Sequence, residues 1–537
     1  MGPYLRAFRA LVLLAGFYLL GFVLLALLVV LDYLAFEFTA GAVAAKILIV
    51  SVVLAVPIVR GMFMLRTPAP EPPVGIRVTE DQEPRLWQTV RELAQRVGTR
   101  APDEIVLVDE VNAAVMEESR LLGLRGGRRT LLLGLPLMSG LDERRLRGVL
   151  GHELGHYSNS DTRLTPLIRR GHVQLTRTIE HFEERAATKV SKERAKQEKA
   201  ADRRVTKGKK AKEIDTSGSG VTYRAMAKIY TAYAKFYLRA TRSIGRRQEL
   251  AADLAAARIA GRDAYASALR ELNVLAPAYD FYLRCYAVIG TGAGLLPREG
   301  EVFGGFRRLL PARAEEFDEL RQDLPTEQDP YDSHPPLADR VARIEALPED
   351  GTDRQETGAD RPSMELLSDP DGAFAALERV MLTPEALAMT RVDWEELVHR
   401  SMARMIAEGA ESVRQTVAAE TGGSPESALS ALLDAVHADP AVLWRIADRF
   451  PKSEEASAAT GRAAREFARP VIRRVLNQLV SVELTARGTT RWALSWSDSA
   501  YLRYPEGGFE EQLTLALDAA VADRPDTEPL RKLVLAS

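Results

Sequence analysis

The chain has 537 residues, 46% of them hydrophobic, so about three or four domains with substantial cores are expected. A net charge of −2 singles out no strongly charged partner, and the one cysteine, Cys285, excludes an intramolecular disulfide and suits a reducing compartment. Ala- and Arg-rich amphipathic runs point to a mainly α protein.

Residues 10–31 form an uncharged apolar run between Arg9 and Asp32, long enough to cross a bilayer as a helix. A second apolar run, 42–65, is interrupted by Lys46 and Arg60 and spans only if these snorkel to the interfaces. Ala40-Gly41-Ala42 resembles a cleavage site, but the run before it is too long for a signal peptide, and Asp32 and Glu37 are out of place there. Arg6, Arg9, Arg60 and Arg66 flank the outer ends, whereas Asp32 and Glu37 lie in the short connector. Residues 1–66 are therefore expected to be a transmembrane helical hairpin in the cell membrane, multi-pass, with both ends and the rest of the chain cytoplasmic.

Residues 67–76 are a Pro-rich, stiff linker. Beyond it, helical spacing covers Arg85–Val97, and Glu104–Val108, Val111–Met116 and Arg129–Leu133 read as strands of a small mixed β-sheet. An extended peptide can pair with the edge of such a sheet, and Asn112 stands where it can hold substrate backbone or simply make a turn. A helix is expected to begin near Leu141 with Ser139 as its N-cap, and Leu146, Val149, Leu150 and Leu154 give it a buried stripe.

That helix carries Gly151-His152-Glu153-Leu154-Gly155-His156. His152 and His156, four residues apart, project from one face and can share a metal ion, and Glu153 reaches a water there without being a ligand. This is the pattern of a zinc hydrolase: two imidazoles hold one Zn²⁺ per chain, and the glutamate is the general base toward water attacking a peptide carbonyl. A third ligand has to come from elsewhere. Glu249 can supply it from a second helix, with Asp253 one turn on to fix an imidazole, while Glu180 and Glu183 are rivals.

Between these helices, residues 185–220 form a basic insertion in which Lys and Arg far outnumber Asp and Glu through 212. It reads as a solvated, partly disordered excursion, or alternatively as a patch for anionic lipid. No aromatic residues are interleaved for stacking, so nucleic acid is not an expected partner. Val221–Ile259 is again helical in pattern but too charged for a membrane span.

Three motifs now stand in order: His152-Glu153-Leu154-Gly155-His156 with Asp161 following, Arg247-Gln248-Glu249-Leu250-Ala251-Ala252-Asp253, and Asp332-Ser333-His334-Pro335-Pro336-Leu337-Ala338-Asp339-Arg340. Together they resemble the membrane zinc metallopeptidase family of HtpX and the CaaX prenyl endopeptidase (gluzincins), over roughly residues 75–345. The resemblance implies a zincin-like domain at 77–348 with Glu249 as third ligand and Asp253 and Asp161 behind the ligands. It also implies that His334 stabilises the oxyanion, that Arg340 positions the His334 segment, and that Asn112 contacts substrate. Two departures stand out. HtpX-like chains carry a second membrane hairpin where this one has its basic insertion, and two spans cannot enclose a prenyl endopeptidase chamber.

After a polar linker at 349–362, residues 363–537 carry no assignable motif. Trp394–Ala407 and Pro425–Phe450 look helical, and alternation in Val480–Ala486 and Thr489–Trp496 about Arg487-Gly488 predicts a hairpin near 480–496. The expected function is a membrane-anchored zinc endopeptidase for membrane or misfolded proteins. The alternatives are a non-enzymatic membrane scaffold, or a latent protease regulated by its C-terminal domain.

Overall fold

In the computed structural model the described residues are 3–63, 74–120, 125–157, 165–206, 214–326, 335–348 and 361–535. By internal contacts the chain divides into two units, one of Met1–Ala276 with Phe317–Pro370, the other of Pro277–Glu316 with Asp371–Ser537. Residues 277–316 thus group with the C-terminal residues, although they lie inside the 77–348 segment.

The first unit opens with helices α1 (Pro3–Phe38) and α2 (Gly41–Phe63), joined by two residues. The expected connector is shorter than the charges suggested. Asp32 and Glu37 continue α1, because nothing between Asp32 and Phe38 breaks a helix. Among the described residues, Tyr18–Phe38 is the one helix long and apolar enough to cross a membrane; the apolar part of α2, Gly41–Val56, is shorter.

A four-stranded mixed sheet follows, from β1 (Ile76–Val78), β2 (Glu104–Val108), β3 (Ala113–Arg120) and β4 (Arg125–Gly134), in the order β1-β2-β4-β3. β4 runs parallel to β2 and antiparallel to β3, which is left as an outer strand. Helix α3 (Pro84–Val97) buries Leu86, Val90 and Leu93. Its spacing of four and three residues is the amphipathic stripe that the sequence showed.

A short helix, α4 (Leu135–Gly140), precedes α5 (Glu143–Gly155). Ser139 is not the N-cap. It lies inside α4 and donates to the Leu135 carbonyl at 2.8 Å, because Pro136 has already started a helix there. Asp142 caps α5 instead, accepting from the Arg145 N–H at 2.7 Å. Leu146, Leu150 and Leu154 are fully buried along α5.

The basic insertion is not a disordered excursion through 206. Helix α6 (Thr165–Thr206) carries it and pairs with α7 (Val221–Ala260). The Phe182 and Tyr230 rings meet in a tilted pair, and these residues with Leu175, Met226 and Tyr237 form a cluster to which Ile58 of α2 belongs and against which Leu24 and Leu28 of α1 pack. Burial of that stripe orders the helix despite its charges, which remain exposed at Arg185, Lys192 and Lys196. Helix α8 (Arg262–Tyr282) follows α7, with Pro277 inside it where the two units divide.

The second unit is mainly helical around Leu432, Leu433, Leu476, Leu479, Leu517 and Leu530. Trp394–Gly409 is one helix as expected, but Pro425–Phe450 is split into Ala428–Ala438 and Val442–Ala447 by Pro440, which cannot continue the helix. The hairpin lies elsewhere than expected. Val480–Ala486 is the end of the helix Gly461–Ala486, and Arg491–Ala493 pairs instead with Tyr501–Arg503. Val480 and Leu484 are both buried, so the helical spacing of four overrides the alternation between them.

Candidate metal centre

Helices α5 and α7 meet through small residues. A Cβ at Gly151 would stand 3.0 Å from the Ile259 side chain and 3.5 Å from the Ala256 backbone. One at Gly155 would stand 3.2 Å from the Ala252 backbone and 3.3 Å from Ala255. Larger residues would hold the helices apart; here the contact is close enough for a carboxylate on one to reach imidazoles on the other.

The carboxylate is that of Glu249. Its oxygens lie 3.5 Å from Nε2 of His152 and 3.6 Å from Nε2 of His156, and the two Nε2 atoms are 3.2 Å apart. Among the described residues, His152, His156 and Glu249 are the group able to share a metal. Four ligands at the usual zinc–nitrogen distance occupy a tetrahedron whose edges are about 3.3 Å. Two imidazoles and one carboxylate are a donor set that suits such an ion, so these residues fit a divalent metal. Glu180 and Glu183 stand on α6 and are not in the group.

Behind His152 lies a buried network. Nδ1 of His152 is 3.1 Å from the Asp253 carboxylate and 3.0 Å from the Tyr265 hydroxyl. Tyr265 donates to Asp253 at 2.7 Å, and Arg340 donates to both oxygens of Asp253, at 2.6 and 3.1 Å, and to the Tyr265 oxygen at 3.1 Å. The Asp253 carboxylate only accepts hydrogen bonds, and the Tyr265 hydroxyl directs its proton to Asp253, which leaves its oxygen as an acceptor toward His152. With two acceptors nearer to it than the Arg340 Nη2, which stands 3.4 Å away, Nδ1 of His152 carries the proton and leaves Nε2 free for a metal.

The charges follow from this arrangement. Burial pulls the His152 imidazole down, but hydrogen bonds to Asp253 and Glu249 outweigh it and raise its pKa to about 9. The negative field that favours a proton there favours a divalent cation in its place. Burial pushes Asp253 up, yet His152 and Arg340 hold its carboxyl well below the usual range. Burial lifts the Tyr265 phenol well above its usual value, so it stays a neutral donor.

Glu153 is half-buried beside His152, near enough for its charge to act on that ring. Arg340 sits on the helix Leu337–Glu345, whose side of the network ties the segment after Pro335-Pro336 to Asp253. Asn112 is exposed just before β3, and its carbonyl accepts from Gly134 at 2.8 Å. Asp161 and His334 lie outside the described residues. Tyr265 was missed by sequence reasoning: it belongs to no motif and comes from the next helix.

Comparison with known proteins bears on the same stretch. The model of Peptidase family M48 matches residues 80–348. Two proteins called "Protease HtpX homolog", from Tropheryma whipplei strains Twist and TW08/27, are each 29% identical over 92 residues, 17% of this chain. That match spans 30% of their length, and no solved structure matches. With half of its length fitting the family and the His152, His156 and Glu249 cluster lying inside the match, the chain belongs to peptidase family M48, a metal-dependent family.

Proposed function

We propose that the chain is a membrane-anchored, zinc-dependent endopeptidase acting on membrane or misfolded proteins. The observation that carries this reading is the approach of His152, His156 and Glu249, with all their ligand atoms within 4.8 Å. When bound, zinc would supply Lewis acidity, polarising a peptide carbonyl and making water nucleophilic near neutral pH. The protein's part is to hold and orient. His152 and His156 would bind through Nε2 and Glu249 through its carboxylate, while Asp253 and Tyr265 keep the proton on Nδ1 of His152. Glu153 would take the proton of the attacking water and hand it to the leaving amine. His334 would stabilise the oxyanion, Asn112 would hold substrate backbone, and Asp161 would support the ligands.

Anchoring rests on α1 and α2. Leu19, Phe22, Leu27 and Val29 are each about 60% exposed, a surface suited to lipid rather than water. With the arginines at the outer ends, the hairpin would place the peptidase part in the cytoplasm. The exposed lysines and arginines of α6 would then face anionic lipid. The test is cleavage of an unfolded protein such as casein by the purified chain. Activity should disappear with a zinc chelator, return with zinc, and be absent from Glu153→Gln. Cleavage by Glu153→Gln at the wild-type rate would reject the mechanism.

A further inference from the structure

We infer that Tyr157 is a positioning residue for the metal centre, an inference that rests on reading His152, His156 and Glu249 as metal ligands. It holds the His156 imidazole in register by tying the end of α5 to the sheet.

The need arises from where the ligands sit. Helix α5 ends at Gly155, so His152 lies inside the helix and His156 on its closing turn. The His156 N–H reaches the His152 carbonyl at 3.3 Å, and the Tyr157 N–H reaches back only three residues, to the Leu154 carbonyl at 3.0 Å. Helix ends of this kind fray, whereas a metal site needs its ligands held within about 0.5 Å. His152 is oriented through its side chain, by Asp253 and Tyr265. The closing turn is held by the residue that follows His156.

Tyr157 is tied at three points. Its hydroxyl donates to the Val115 carbonyl of β3 at 2.7 Å. Its own carbonyl accepts from the Thr99 hydroxyl, just past α3, at 3.1 Å. The Arg129 guanidinium of β4 lies 4.8 Å from its ring centre, a cation–π contact. These partners are themselves fixed. Val115 is buried opposite Leu131, and Arg129 donates to Glu117 at 3.0 Å, to Thr99 at 2.9 Å and to the Arg100 carbonyl at 2.8 Å. Three separate stretches of chain thus converge on the residue beside a ligand. The sheet sets where α5 ends, and α7 sets where Glu249 meets it.

The test is cobalt(II) binding to the metal-free full-length chain, because the visible absorption of that ion reports its coordination geometry. Tyr157→Phe keeps the ring and loses the hydroxyl, and should weaken cobalt binding by about fivefold. Tyr157→Ala loses both, and should weaken it by about 10- to 100-fold with a shift of the absorption bands. Leu86→Ala is the control. It opens a cavity at a fully buried position of α3, and should lower stability to denaturant while the folded chain keeps the wild-type cobalt affinity and spectrum. The inference is overturned if Tyr157→Phe binds cobalt as wild type does, or if Leu86→Ala weakens binding as much as Tyr157→Phe. A wild type that binds no cobalt would instead remove the metal reading, and this inference with it.

Discussion

The Tyr265 hydroxyl stands 3.0 Å from Nδ1 of His152 and donates to Asp253 at 2.7 Å, so a phenol and a carboxylate together orient the first imidazole of the motif. Tyr265→Phe removes one of the two acceptors for the Nδ1 proton without opening a cavity. Zinc affinity should fall by about 10- to 100-fold, read by competition with a chromophoric chelator, with little change in secondary structure. An unchanged affinity would reduce Tyr265 to packing.

The close crossing of α5 and α7 makes a separate prediction. Gly155→Val places methyl groups where a Cβ alone would be 3.2 Å from the Ala252 backbone. The helices should separate at a cost of about 1–3 kcal/mol, and zinc binding should weaken although no ligand has been altered. Denaturant unfolding and metal titration on the same sample would show both effects.

The Arg340–Asp253 pair is buried, with side-chain exposures of 11% and 4%. Arg340→Ala leaves a buried carboxylate without its cation and should destabilise the first unit by about 3–5 kcal/mol. Asp253→Asn combined with Arg340→Ala should cost less than the sum of the two single changes. Additive losses in that double-mutant cycle would mean that the pair is not coupled.

In the second unit, Glu378 is fully buried; burial raises its pKa, against the opposing Val302 N–H and Arg391. A raised folded-state pKa contributes stability that is present below the ordinary glutamate range and lost as pH rises through the raised value. The stability of wild type relative to Glu378→Gln should therefore be greatest at acid pH and decline toward neutrality. Urea unfolding of both chains across that range checks the sign.

Legibility differed with the range of the contact. The two histidines and Glu153 are a local pattern, and a helix at that spacing places the imidazoles together wherever the rest of the chain goes. Glu249 was harder, because α6 and most of α7 intervene and only the packing of α7 on α5 decides which carboxylate returns to the histidines. Glu180 and Glu183 fitted the spacing as well. In α6 the helical pattern was legible up to Arg185, but from there the lysines and arginines weighed toward a solvated excursion, although Ala186 continues the buried face of Leu175 and Phe182. Tyr265 carried no local signal. Its role exists only once α8 has folded back beside Asp253.

Zinc content of the purified full chain, for wild type and for Glu249→Ala, tests the central claim most directly. Wild type should carry one tightly held zinc per chain, and Glu249→Ala should lose that zinc together with peptide cleavage. Wild type without zinc, or Glu249→Ala retaining both zinc and activity, would contradict it.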